Sequence, residues 1–251
     1  MHCEEQGCEY VTPELSTEEE ERRTLHVHVD TAHHVDNISD VDEGDMYGWT
    51  PLHRAARCGM KERCEHLLMR GARVDAENYG WIALMSAANN GHTDVCHLLL
   101  DHETDDDHKN KALTLAAMFG HLHACRLLVS RGASVDSEDD LHMTPLNKAA
   151  DAGYTDICEL LLDHGADIEH KTNDGDSALE MAARNGHLDT CKLLLSREAD
   201  EHKALMNALS ENNFKVADFF IKNGASLNWI EEPRRQFAAT IAVEHIRRRE
   251  E

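Results

Sequence analysis

A short pattern built around a leucine returns six times along this chain. The anchors are Leu52, Leu84, Leu113, Leu146, Leu179 and Leu205, spaced by 32, 29, 33, 33 and 26 residues. Few features constrain a fold as tightly. A repeat of this length is one supersecondary unit that cannot bury its apolar face alone, so the units must stack into a continuous core. Small pairs follow the first five leucines: Ala55/Ala56, Ala87/Ala88, Ala116/Ala117, Ala149/Ala150 and Ala182/Ala183. A glycine then stands seven residues after each of the same leucines, at Gly59, Gly91, Gly120, Gly153 and Gly186.

Each of these residue types has a physical task. An Ala-Ala pair one turn after the leucine lets two helices approach closely. The glycine accepts positive φ, which ends the first helix and turns the chain. Thr93-Asp94, Thr155-Asp156 and Leu188-Asp189 then open a second helix with a capping or acidic residue. That helix carries apolar residues at helical spacing, such as Val95, Cys96, Leu98 and Leu99. It is expected to end at Gly71, Gly132, Gly165 and Gly224, with Val74, Val135, Ile168 or Leu227 in a short extended stretch beyond.

The clearest copy reads Thr50-Pro51-Leu52-His53-Arg54-Ala55-Ala56, echoed by Thr144-Pro145-Leu146-Asn147-Lys148-Ala149-Ala150. A period near 33 residues with this motif resembles the ankyrin repeat over roughly residues 46–228. The resemblance implies an all-α solenoid of stacked helix-turn-helix repeats with short β-hairpin fingers and helical caps at both ends. It implies that Thr50 and His53 hydrogen-bond and brace neighbouring loops. It also implies a non-enzymatic protein–protein interaction module, whether scaffold, adaptor, inhibitor or chaperone. The expected organisation is an acidic flexible tail (1–13), a helical cap or degenerate repeat (14–45), the repeat domain (46–228) and a C-terminal capping helix (229–251).

Other chemistry finds no carrier. The start, Met1-His2-Cys3-Glu4-Glu5, has neither the basic region nor the apolar run of a signal peptide. No run of about 18 apolar residues is present to span a bilayer. A soluble cytoplasmic or nuclear protein is therefore expected, with no membrane partner. Cys64, Cys96, Cys125, Cys158 and Cys191 each fall twelve residues after their repeat's leucine, so they read as small core residues in a reducing compartment. Asp105-Asp106-Asp107 lacks the glycine and terminal glutamate of a calcium loop. There is no phosphate-binding loop and no nucleophile elbow, so neither a catalytic residue nor a cofactor is expected. Cys3, Cys8, His26, His28, His33 and His34 leave one alternative open, a metal- or redox-responsive N-terminal segment. Their spacing does not match a zinc finger, and no metal ligand is assigned.

Charge narrows the partner. The chain carries 48 acids against 25 bases, and residues 1–45 hold 14 of the acids and two of the bases. Nucleic acid calls for the opposite sign. A protein partner with a basic surface is expected, attracted at long range by the tail. The chain itself is expected to be a monomer or one subunit of a complex.

Two connections break the pattern. Glu103-Thr104-Asp105-Asp106 follows the second repeat and Glu198-Ala199-Asp200-Glu201 the fifth, with four and seven residues missing. Shortened fingers there would divide the binding surface into segments. The resemblance places the partner site at the fingertips, Tyr47, Trp49, Tyr79, Trp81, Leu141 and Met143. It adds the ends of the inner helices, among them Arg57, Cys58, Asn89, Met118 and Phe119. The repeated Tyr-Gly-Trp of the first two fingers makes them the expected centre, since Trp, Tyr and Arg dominate interface hot spots.

Overall fold

The computed structural model describes residues 8–10, 26–28, 40–102, 104–201 and 203–225. Its body is a stack of helix pairs. The inner helix of each pair carries the repeat leucine: α1 (Pro51–Arg57), α3 (Ala83–Asn89), α5 (Asp106–Met118), α7 (Pro145–Ala152), α9 (Ala178–Arg184) and α11 (Ala204–Ser210). The outer helices are α2 (Lys61–Met69), α4 (Thr93–Leu100), α6 (Leu122–Ser130), α8 (Thr155–Asp163), α10 (Leu188–Ser196) and α12 (Phe214–Lys222). Each inner helix packs on its own outer helix and on the next inner one, and outer helices follow one another in the same way. Contacts between neighbours thus build an all-α solenoid. Apart from the stack, β1 (Cys8–Tyr10) pairs antiparallel with β2 (His26–His28). The C-terminal capping helix expected over 229–251 and most of the cap expected over 14–45 lie outside the described residues.

The repeat residues fill the places their sizes suit. All six anchoring leucines and the five alanine pairs are buried, and each leucine contributes about 1.5–3 kcal/mol on leaving water. The five equivalent cysteines are fully buried and free. Burial pushes each thiol up to about 12 from its ordinary value.

The inter-helix glycines have two reasons to be glycine. Gly91 sits at φ +72, and a Cβ there would lie 2.5 Å from the ring of His121 in the next repeat. His121 Nε2 donates to the carbonyl of Asn89 at 3.0 Å, just as His92 donates to Arg57 and His187 to Asp151 at 2.9 Å. A ring from repeat n+1 thus lies over the glycine of repeat n and satisfies a carbonyl at the end of its inner helix. At the far end of the outer helix the fifth repeat has Glu198, at φ +67, where the first, third, fourth and sixth repeats have glycine. Non-glycine residues in this region cost about 1–2 kcal/mol. Glu198→Gly is therefore expected to stabilise the chain by about 1 kcal/mol, read as a raised urea midpoint. An unchanged midpoint would place no strain there.

The fingers are tighter than the hairpins the sequence predicts. In the second finger Asn78 and Trp81 exchange both backbone hydrogen bonds, at 2.9 and 3.0 Å, around Tyr79 and Gly80. Both central residues have positive φ, +50 and +76, which makes this a two-residue type I′ turn. The first (45–49), fourth (139–143) and fifth (172–176) fingers close instead over three residues, with Gly48, His142 and Gly175 left-handed before the last. Among the described residues only Asn78–Trp81 forms a bridge outside β1 and β2. The arms are too short to add a second rung.

Where the sequence predicts a gap before the third repeat, the chain makes more helix. Helix α5 begins seven residues ahead of Leu113, whereas the other inner helices begin one residue ahead of theirs. Asp105 caps it, its Oδ1 accepting from the His108 amide at 2.8 Å. His108, buried, faces Asp105 Oδ2 at 2.7 Å through Nδ1 and Glu77 Oε1 at 3.3 Å through Nε2. Asn110 Oδ1 accepts from the Ser134 amide at 2.7 Å. The extra turns are thus wedged between the base of the second finger and the connection that follows α6.

Candidate interaction surface

Two rows of residues are repeated down one side of the stack, the fingertips and the ends of the inner helices. The fingers are held from within. Asp45 Oδ1 accepts from the amides of Tyr47 and Trp49, both at 2.9 Å. Asp139 Oδ1 does the same for Leu141 and Met143, while its Oδ2 meets Lys148 Nζ at 2.7 Å. Burial pushes the Asp139 carboxyl up, but Lys148 and the two amides outweigh it and hold it below its ordinary value.

Neighbouring elements lock the fingers in place. His53 Nε2 donates to the Trp81 carbonyl at 3.0 Å, and its Nδ1 accepts from Thr50 Oγ1 at 2.8 Å. Burial lowers the His53 pKa, which keeps the ring neutral as this pairing requires. The expected Thr–His brace is therefore present in repeat 1. In repeat 4 Asn147 takes the histidine's place, its Oδ1 accepting from the Thr144 amide at 3.0 Å and hydroxyl at 2.9 Å.

The expected site residues separate into two groups. Trp49 and Trp81 are half-buried. Trp49 meets the His53 ring edge-on at 5.3 Å, and Trp81 packs against the core. Met143, Arg57 and Asn89 are also half-buried, and the carbonyls of Arg57 and Asn89 are occupied by the histidine row. Cys58, beside Arg57, is disulfide-bonded. Tyr79, Leu141, Phe119, Met118 and Tyr47 are exposed, Tyr79 at 92%. The turn type separates Tyr79 from Trp81: residues at the tip of a two-residue turn stand clear, and the flanking pair faces the stack. Sequence reasoning missed Met46, 87% exposed beside Tyr47. Its position in the same loop is the signal that could have found it.

Charge follows the connections and the extra turns at the start of α5 rather than the other helices. Residues 40–49, 72–81, 101–111, 133–143, 166–176 and 198–203 together hold 22 acids and five bases, a net −17 of the chain's −23. Much of this edge is held rigid. Asp42 accepts from the Arg73 amide, Asp136 from the Asp167 amide and Glu169 from the Asp200 amide, at 2.7–2.9 Å. Acidic side chains thereby tie one connection to the next.

Among the described residues no group of His, Cys, Asp and Glu could hold a metal ion. No helix among them is long and apolar enough to cross a membrane. The side chains of the N-terminal cysteines and histidines lie outside the described residues.

A family model described as ankyrin repeats (3 copies) matches residues 25–110, 64–139, 102–172 and 169–231. No curated protein matches the chain.

Proposed function

The chain belongs to the ankyrin-repeat family, whose members are generally protein–protein interaction modules. From that premise we propose that it binds a basic protein partner across its fingertips and inner-helix ends, as a non-enzymatic module. One observation carries the reading. Of the nine exposed large apolar residues among those described, six lie in these two rows: Met46, Tyr47, Tyr79, Met118, Phe119 and Leu141. Apolar surface gathered on one working face, and rimmed by charge of one sign, is the composition of a binding site rather than of a solvated surface. Rigid fingers also lower the entropy lost on binding.

Tyr79 is the anchor of choice. It is exposed, it stands on a turn that is already closed, and its loss leaves no cavity. Tyr79→Ala is expected to weaken partner binding by about 2 kcal/mol, on the hot-spot scale, with an unchanged melting temperature. The partner is first captured with the intact chain and identified. Its affinity is then compared for Tyr79→Ala and for Lys192→Ala, which alters an exposed outer-helix ion pair with Asp189. Equal affinities for the two variants would move the site off the fingers. Trp81→Ala is a poorer test, because Trp81 also packs against the core.

A further inference from the structure

The histidine row is broken at one junction. The carbonyl five residues after the repeat leucine stands at the end of each inner helix, and at four junctions the next repeat satisfies it. His92 donates to Arg57, His121 to Asn89, His187 to Asp151 and Asn213 to Arg184. Between the third and fourth repeats the equivalent side chain is Tyr154. Its ring takes the histidine's place over the glycine, with Cε1 and Cζ 2.5 and 2.6 Å from where a Cβ on Gly120 would lie. A tyrosine ring has no N–H to give, and no donor among the described residues reaches the Met118 carbonyl. Met118, Phe119 and Tyr154 are all exposed around it. Asp151 holds the same place on the next inner helix, about 8–10 Å on. Its side chain accepts from the neutral amide of Asn185, and it has no ion pair among the described residues. Residues 112–125 and 149–156 contain no lysine or arginine, and the flanking Lys111 and Lys148 are paired with Asp107 and Asp139.

We propose that this junction seats an arginine side chain of the partner, its guanidinium stacked on the exposed aromatic surface of Phe119 and Tyr154 and one N–H donated to the Met118 carbonyl. This inference rests on the reading of the inner-helix ends as part of a basic-partner site, and it names the anchoring side chain and its seat. Three observations select arginine. The open group is a carbonyl, which calls for a donor. The surface beside it is aromatic, and a planar, weakly hydrated guanidinium stacks on such faces better than an ammonium does. The Asp151 carboxylate is uncompensated and lies within the ~10 Å over which charges act at 0.1 M salt. A backbone amide or a neutral side chain would answer only the first of these.

Two fluorescein-labelled peptides test this on the full chain, one of alternating arginine and serine and one of alternating lysine and serine. Binding is measured at low salt and about pH 8, where an ordinary imidazole is neutral. Both peptides should bind, the arginine peptide about fivefold more tightly, the margin of a cation–π contact. Tyr154→His supplies the missing donor and so should close the seat. In that variant the arginine advantage is expected to vanish, the lysine peptide to bind as before and the melting temperature not to fall. Phe119→Ala, at an exposed position, should shrink the advantage with an unchanged circular dichroism spectrum, which keeps the test decisive should Tyr154→His unfold the stack. An arginine advantage that persists in either folded variant, or none in the intact chain, overturns the arginine seat and leaves the basic-partner reading standing. Failure of both peptides to bind at low salt overturns both.

Discussion

At about pH 10 the fold is expected to have lost about 7 kcal/mol of the stability it holds at neutral pH, through five thiols that take no part in binding. Cys64, Cys96, Cys125, Cys158 and Cys191 are fully buried, and each titrates at about 12 in the folded chain against an ordinary 9.0. The sign follows from which state gives up protons first. Above pH 9 the unfolded chain ionises its cysteines while the folded chain still holds its protons. The stabilisation is therefore complete below the unfolded value and is lost as pH climbs toward the folded one. One unit above the unfolded value, each thiol costs the fold on the order of 1–2 kcal/mol. Five together approach the whole stability of an ordinary domain, about 5–15 kcal/mol.

Urea unfolding of the reduced chain at neutral pH and at about pH 10 reads this directly. Lysines and tyrosines titrate nearby, so the comparison that isolates the thiols is the double variant Cys125→Val, Cys158→Val. It should begin less stable, from imperfect packing, yet lose about two-fifths less of the thiol contribution over the same interval. An identical pH dependence in the variant would mean that the buried thiols do not control alkaline unfolding.

That the cysteines are core residues was readable from spacing alone, and so were the leucines, the alanine pairs and the glycines. Each answers a demand made afresh in every repeat: close approach, a filled core, a left-handed turn. Periodicity reports such demands whatever the surroundings. The third finger was not readable in the same way. Its local signals were present, with Asp105 at a cap position and Asp106 and Asp107 in a first turn, but alignment to the repeat turned a substitution of helix for finger into a deletion. What holds the extension is tertiary, the contacts of His108 with Glu77 and of Asn110 with Ser134. The same limit applied at the tips. Tyr79 and Trp81 are two residues apart in one motif, and only the turn type decides that one is exposed and the other packed.

The stack itself hangs on the glycine row, and Gly91→Ala is expected to cost about 3 kcal/mol by two separable routes. The first is conformational. At φ +72 an alanine carries the left-handed penalty of about 1–2 kcal/mol. The second lies between repeats. The new Cβ would stand 2.5 Å from His121 Nδ1, so the ring must move, and its hydrogen bond to the Asn89 carbonyl is strained or lost. A hydrogen bond of this kind contributes about 1 kcal/mol. Gly132→Ala separates the two, because Gly132 has φ +89 and nothing within 4 Å of the added atom. It should show the conformational cost alone. Removing the obstructing ring with His121→Ala in the Gly91→Ala background should make the second change nearly free, since the bond it deletes is already broken. In a solenoid whose cohesion is passed between neighbours, a weakened second interface also divides the molecule. Hydrogen exchange in Gly91→Ala should accelerate in α1 to α4 before it does in α7 to α10. Uniform acceleration along the chain, or equal losses from Gly91→Ala and Gly132→Ala, would show that the histidine row does not couple the repeats.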